Sequence, residues 1–177
     1  MTSDTDLRFP IGKLERKSSL SPEERAAAIA AIAAAPAALS AAVLGLSEEQ
    51  LDTPYRPGGW TVRQVAHHVP DSHMNAYIRV KLALTEERPL IKPYDQDRWV
   101  LLADTSNTSV EVSLALLEAL HVRWVELLRA IEPADFERTL EHPELGEVTL
   151  DSVLSIYSWH GRHHVAHVTR LREREGW

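Results

Sequence analysis

The sequence predicts an all-α protein, a four-helix bundle within a single domain spanning residues 1–177. Long stretches place apolar side chains at helical spacing, and few segments are left for strands. Capping boxes mark helix starts at Ser21 to Glu24, Ser47 to Gln50 and Thr61 to Gln64. The length suits one domain able to bury a core without covalent staples.

The first long helix opens at Ser21, with Pro22 at the first helical position and Glu24 at the third. It enters an alanine-rich stretch, where Pro36, lacking an N–H, is expected to break it into a helix pair. Residues 26–46 carry no charge. A membrane span is not expected there, because alanine gains too little from hydrocarbon and Pro36, Ser40 and Gly45 interrupt the run. Ser47 opens a short helical turn, and residues 54–59 form a loop. The second long helix runs from Thr61 to about residue 85, kinked at Pro70, which removes the bond to the Ala66 carbonyl. Residues 86–109 are a long connection containing Pro89, Pro93 and a short helix over 98–103. The third long helix covers 110–131 and stops before Pro133. Residues 139–150 suggest a hairpin about His142-Pro143 and Gly146. The fourth long helix covers 150–173.

Hydrophobic residues make up 44% and charged residues 25%, an ordinary globular composition. A formal charge of −7 argues against nucleic acid as a partner, since phosphate binding needs a basic face. There is no cysteine, so any transition-metal site must use imidazole, carboxylate and water. Residues 1–19 are polar and lack the apolar core of a secretory leader, so a cytoplasmic location is expected.

The histidines are the informative residues. There are nine, three within residues 67–73 and four within 160–167, with His121 and His142 apart. At about 100° per residue, Val153, Ile156, Tyr157, His164, His167 and Leu171 lie within roughly 60° of His160. His160 and His164 therefore share the buried stripe one turn apart, close enough for both imidazoles to reach one ion. A polar core satisfied by hydrogen bonds is the plainer alternative. Several inward imidazoles on one stripe favour a metal, because each needs a partner. His163 and His167 form a second pair at the same spacing, and periodicity leaves them open as ligands, as partners of ligands or as a proton relay. On the second helix His67 points nearly opposite the apolar stripe. His68 lies on its flank, in a polar strip with Gln64, Ser72, Asn75 and Arg79, and His73 is a rival beyond Pro70. Glu118 and His121 read as a surface pair, and no second Glu-x-x-His accompanies them. Gly161 after His160 removes the zincin pattern, and no phosphate loop or serine elbow is present. Trp60 and Trp159 read as core aromatics.

The segments Gly58-Gly59-Trp60-Thr61-Val62-Arg63-Gln64-Val65-Ala66-His67-His68 and Trp159-His160-Gly161-Arg162-His163-His164-Val165-Ala166-His167 resemble the ligand-bearing helices of the DinB/YfiT-like proteins. LDTPYR at 51–56, DSHMN at 71–75, KLALTE at 81–86 and the terminal Gly176-Trp177 extend the resemblance over nearly the whole chain. It implies a four-helix bundle of unusual connectivity with one mononuclear site, usually zinc or nickel. The family spacing assigns the ligands to His68, His160 and His164, and the resemblance as a whole implies a homodimer. Pro70 departs from the alanine-like residue usual at its position.

Three imidazoles leave a divalent ion with open positions, as in catalytic sites. The resemblance implies a metal-dependent hydrolase or a thiol S-transferase using bacillithiol, mycothiol or glutathione on a small-molecule substrate. No carboxylate stands on the ligand-bearing stripes to act as general base, which favours thiol transfer over a hydrolase using metal-bound hydroxide. Gln64, Asn75 and Arg79 are candidates to grip an anionic cofactor, with ordinary surface as the alternative for each. A non-enzymatic metal-binding bundle is the third reading.

Overall fold

The computed structural model describes residues 6–177; of the polar N-terminal stretch 1–19, residues 1–5 lie outside the described residues. The chain forms α1 (Pro22–Val43), α2 (Glu48–Leu51), α3 (Val62–Thr85), α4 (Gln96–Trp99), α5 (Ala103–Asn107) and α6 (Val110–Arg129). A 3-10 turn (Pro133–Glu137), the strands β1 (Thr139–His142) and β2 (Gly146–Thr149), and α7 (Leu150–Glu175) complete it.

The caps do what their sequence pattern requires. The Ser21 hydroxyl accepts from the Glu24 amide at 3.2 Å and Glu24 accepts from the Ser21 amide at 2.8 Å, so two orphan donors are satisfied reciprocally. The same box starts α2 at Ser47 and α3 at Thr61. At the other end, α7 stops at Gly176, whose φ of 74° is the left-handed conformation that a glycine C-cap provides. The hairpin lies where the turn residues put it, pairing Thr139 with Thr149 and His142 with Gly146.

Two elements differ from expectation. The first helix is not a broken pair: α1 continues through Pro36 without interruption. Pro36 offers no N–H to the carbonyl of Ile32 four residues earlier. That carbonyl instead accepts from His121 Nδ1 on α6 at 2.8 Å, so the defect is filled from a neighbouring helix. The single short helix expected over 98–103 is also replaced, by α4 and α5 on either side of residues 100–102. Asp95 caps α4 by accepting from the Arg98 amide at 3.1 Å.

The four long helices pack with α1 against α6 and α7, and with α3 against the same two. α1 therefore lies diagonally opposite α3, and α6 opposite α7, so the connections between these pairs cross the bundle, whereas α3 and α6, also consecutive, are neighbours. By length and composition α1 could cross a membrane, yet Ile32, Leu39, Ala42 and Val43 on it are buried against the bundle. One part of the core gathers round Trp124, Ile32 and Leu154, and the other round Val62, Val65, Leu117 and Val168.

Residues 8–20 run along α7 as a strap. Asp151, 1% exposed, accepts from the Leu20 amide at 2.9 Å and from Arg25 Nε and Nη2 at 2.7 and 2.8 Å. Ser152 donates to the Lys17 carbonyl at 3.0 Å and Thr149 to that of Ser18 at 2.7 Å. The two-pronged Arg25–Asp151 pair joins α1 to α7 at the end where α7 starts. Asp151→Ala leaves Arg25 largely buried without its counter-charge and should lower unfolding free energy by about 3–5 kcal/mol in a urea titration. A loss below about 1 kcal/mol would place this pair with exposed ones.

Candidate metal centre

α3 and α7 face each other across the interior, and that contact brings three imidazoles together. His68 from α3 and His160 and His164 from α7 each offer one nitrogen, all within 4.8 Å of one another. His68 Nε2 and His160 Nε2 are 3.3 Å apart. Two nitrogens each about 2.0–2.1 Å from a tetrahedral ion lie about 3.3 Å apart, so the spacing suits a shared cation. His164 Nδ1 is buried with no hydrogen-bond partner, a nitrogen whose bonding capacity the protein alone does not use.

Electrostatics favour the same use. Burial pushes His68 down to about 4. His160 and His164 fall well below the ordinary histidine value, first through burial and then through the neighbouring imidazoles. At neutral pH all three rings are uncharged, so each has one nitrogen with a free lone pair beside one N–H, which cation binding requires. The donor set, all nitrogen with no carboxylate, fits a divalent transition metal better than calcium or magnesium.

The rival histidines have other partners. His67 is buried against α6, with Nδ1 2.7 Å from Ser113 Oγ; the face that periodicity turns away from the apolar stripe meets a second helix rather than water. His73 is fully buried; its Nε2 lies 3.1 Å from His160 Nδ1 and its Nδ1 lies 2.7 Å from His121 Nε2. His121 is no surface residue: it is 3% exposed, with Glu118 outside it on the groove between α1 and α6. His163 stacks on Trp159 at 4.0 Å, and its Nδ1 is buried without a partner. His167 stacks on Tyr55 at 3.9 Å, and its Nε2 lies 3.2 Å from the Arg8 carbonyl. Neither His163 nor His167 hydrogen-bonds a candidate ligand; His73 does.

Trp60 is not a simple core aromatic. Its ring lies 4.6 Å from that of His68 and runs parallel to His164 at 6.2 Å, forming one wall of the centre. Its Nε1 donates to Asp97 Oδ1 at 3.1 Å, which ties α4 to the loop before α3. Trp159, on α7, donates to the Gly12 carbonyl at 3.3 Å and so holds the strap rather than the centre.

His160 opens onto a cleft of about 640 Å³ lined by Ser72, Arg79, Tyr94, His142 and Tyr157, with Asp95 and Glu144 at its edge. Burial raises Tyr94 to about 12 and also raises Tyr157, so both phenols keep their protons. Of the three side chains expected to grip a ligand, Arg79 lines this cleft. Gln64 is committed to the α3 cap and to the Val100 carbonyl at 3.3 Å, and Asn75 to the Asp71 carbonyl at 2.9 Å. Periodicity missed Tyr94, His142 and Glu144 because they come from connections. Asp71, half-buried on α3, has its carboxyl pushed up to about 6, mainly by burial and then by Asp104.

A helical bundle with diagonal connections and an all-imidazole cradle between its second and fourth long helices defines a recognisable class. The chain belongs to the DinB superfamily, whose family model matches residues 31–168. A Bacillus mycoides (strain KBAB4) protein named "Putative metal-dependent hydrolase" is 54% identical over 172 residues, covering 97% of this chain and 99% of the relative. A Bacillus cereus (strain 03BB102) protein of the same name is 54% identical over the same coverage. The solved structure described as "YfiT from Bacillus subtilis is a probable metal-dependent hydrolase with an unusual four-helix bundle topology" superposes with a TM-score of 0.93. It is 48% identical, covering 97% of this chain and 98% of that one. A second solved four-helix bundle protein, 23% identical, covers 82% of this chain and 98% of its own with a TM-score of 0.60, and shows the fold.

The buried imidazoles make the metal-free protein sensitive to acid. His68 and His121 each fall from the ordinary 6.5 to about 4 on folding, chiefly through burial. Between these values the unfolded chain binds protons that the folded one refuses, so stability is full above about pH 6.5 and declines as pH falls toward 4. Urea titrations of metal-free protein from pH 7 to pH 4 should show that decline; a flat profile would mean the imidazoles are not buried and neutral.

Proposed function

We propose that this protein is a metal-dependent enzyme that ionises a low-molecular-weight thiol and transfers it to a small electrophilic substrate. The observation behind this reading is the make-up of the cradle: three neutral imidazoles within ligand distance and, among the described residues, no carboxylate in the group. The ligands thus leave the full charge of a divalent cation, zinc or nickel, to be balanced by an incoming anion. A cation held there would depress the pKa of a thiol or a water reaching its open positions.

The chain's own residues do the rest. His68, His160 and His164 would hold the cation, and Trp60 walls off their flank from water. Arg79 supplies the positive charge in the cleft that draws the carboxylates of a bacillithiol-type thiol. The Tyr94 and Tyr157 phenols, held protonated, donate hydrogen bonds to the substrate. In the transfer the thiol loses its proton to solvent, a carbon–sulfur bond forms and the leaving group departs with its electron pair. With no cysteine in the chain, the sulfur comes from the small molecule. A cytoplasmic homodimer is the setting this reading assumes.

Hydrolysis is the second reading. It is favoured by the names of the relatives and by Asp95 and Glu144 at the cleft edge, either of which could take a proton from water. The two readings separate cleanly. Metal-loaded protein should conjugate 1-chloro-2,4-dinitrobenzene to bacillithiol, mycothiol or glutathione, and His164→Ala should abolish the reaction. Ester or amide cleavage without any thiol, and no conjugation with one, would replace transfer by hydrolysis. Neither activity from protein with a full complement of metal would leave a binding bundle.

A further inference from the structure

Behind the candidate ligands lies a second row of imidazoles that the proposed chemistry does not use. His160 Nδ1 is 3.1 Å from His73 Nε2, His73 Nδ1 is 2.7 Å from His121 Nε2, and His121 Nδ1 is 2.8 Å from the Ile32 carbonyl oxygen. The row crosses the bundle from α7 through α3 and α6 to α1. His73 and His121 are 0% and 3% exposed, so water does not compete for these contacts.

The far end of the row fixes its direction. A carbonyl oxygen only accepts, so His121 must carry its proton on Nδ1. A neutral imidazole carries one proton, which leaves His121 Nε2 to accept from His73 Nδ1–H. By the same logic His73 Nε2 accepts from His160 Nδ1–H, and His160 Nε2 is left with its lone pair, which the Ser72 hydroxyl approaches at 3.4 Å. That is the nitrogen lying 3.3 Å from His68 Nε2. Each contact then has one proton and one lone pair, with no clash along the row.

Two backbone features make room for this arrangement. Pro36 removes the helical donor that would otherwise occupy the Ile32 carbonyl, so the row has a terminal acceptor. Gly161 lets α1, the helix that carries this acceptor, approach α7: a Cβ there would lie 3.0 Å from Ala35 Cβ, while His73 Cε1 stands at an ordinary contact distance of 3.6 Å. A proline inside a core helix and a glycine inside another are each unfavourable by helix propensity alone. Here the proline frees the row's acceptor and the glycine brings the helix that carries it against α7.

We infer that His73 and His121 are positioning residues that, through the Ile32 carbonyl freed by Pro36, hold His160 in the tautomer that presents Nε2 to the metal. The inference rests on the metal reading of the His68–His160–His164 cradle. Partners of this kind, which orient a ligand imidazole and raise its basicity, are worth about 10–100-fold in metal affinity. The effect runs through tautomer and aim and does not require any of these groups to titrate.

The test uses full-length protein and two readouts. Long-range proton–nitrogen NMR of the metal-free protein at neutral pH should show Nδ1–H and unprotonated Nε2 at His160, His73 and His121. An Nε2–H at His121 or His73 overturns the inference whatever the variants do. Zinc affinity is then measured by chelator competition. His121→Leu, which keeps bulk but neither donates nor accepts, should weaken binding by about 10–100-fold. His121→Gln, whose amide can accept from His73 and donate to Ile32, should keep most of the affinity and the His160 tautomer. Equal affinity for His121→Leu and the unaltered protein refutes the positioning role, as does an equal loss in both variants. Failure of the unaltered protein to bind zinc would strike the metal reading, and the NMR result would still decide the direction of the row. Should His121→Leu fail to fold, Pro36→Ala supplies the competing helical N–H at Ile32. It should lower zinc affinity without lowering the thermal midpoint, and unchanged affinity there counts against the inference.

Discussion

Accommodating many uncharged imidazoles in the interior is the constraint on which this bundle depends, and it is met only in part: Nε2 of His67 and Nδ1 of His163, His164 and His167 are buried without a hydrogen-bond partner. Residues 67, 68, 73, 121, 163, 164 and 167 are all buried histidines, and His160 sits at the inner end of the cleft. At neutral pH their burial carries no charge penalty, because each has been pushed toward the uncharged form. The cost lies in hydrogen bonding, where an unpaired buried donor or acceptor loses about 1–3 kcal/mol. A shared cation would satisfy lone pairs on three rings at once, and the row ending at Ile32 would satisfy the protons and lone pairs behind one of them. The two devices meet at His160, with one ring nitrogen for each.

The unusual connectivity serves the same end. With α1 and α3 on one diagonal and α6 and α7 on the other, α3 and α7 become neighbours although α6 separates them in sequence. The candidate ligands come from that neighbour pair, while the row behind them ends on the remaining two helices. All four long helices thus contribute to one polar spine through an otherwise apolar core. The connections are used as well: α4 tethers Trp60 over the centre, and Tyr94 and the β1–β2 turn close the cleft above His160.

Much of this was legible in the sequence where the physics is local. Capping boxes marked the starts of α1, α2 and α3, because the cap is a contact between residues three apart. His160 and His164 were visible as a pair one turn apart on the buried stripe. The turn chemistry of Gly146 pointed to the hairpin. What depended on a partner helix was not legible. Pro36 was expected to break α1, since only α6 supplies the donor that stands in for its missing bond. His67 and His121 looked exposed, since only the packing of α3 and α6 covers them. Periodicity favours His68 over His67 and leaves His73 as a rival, because beyond Pro70 the helical phase depends on how the helix continues. The cleft was invisible for a similar reason: Tyr94, His142 and Glu144 belong to connections without periodicity.

The central claim is that one cation is shared by His68, His160 and His164, and X-ray absorption of zinc-loaded protein tests it most directly. The account predicts one equivalent of zinc per chain, about three imidazole nitrogens at about 2.0–2.1 Å, and loss of that signal in His160→Ala. Substoichiometric zinc, or a coordination shell that His160→Ala leaves unchanged, would contradict it.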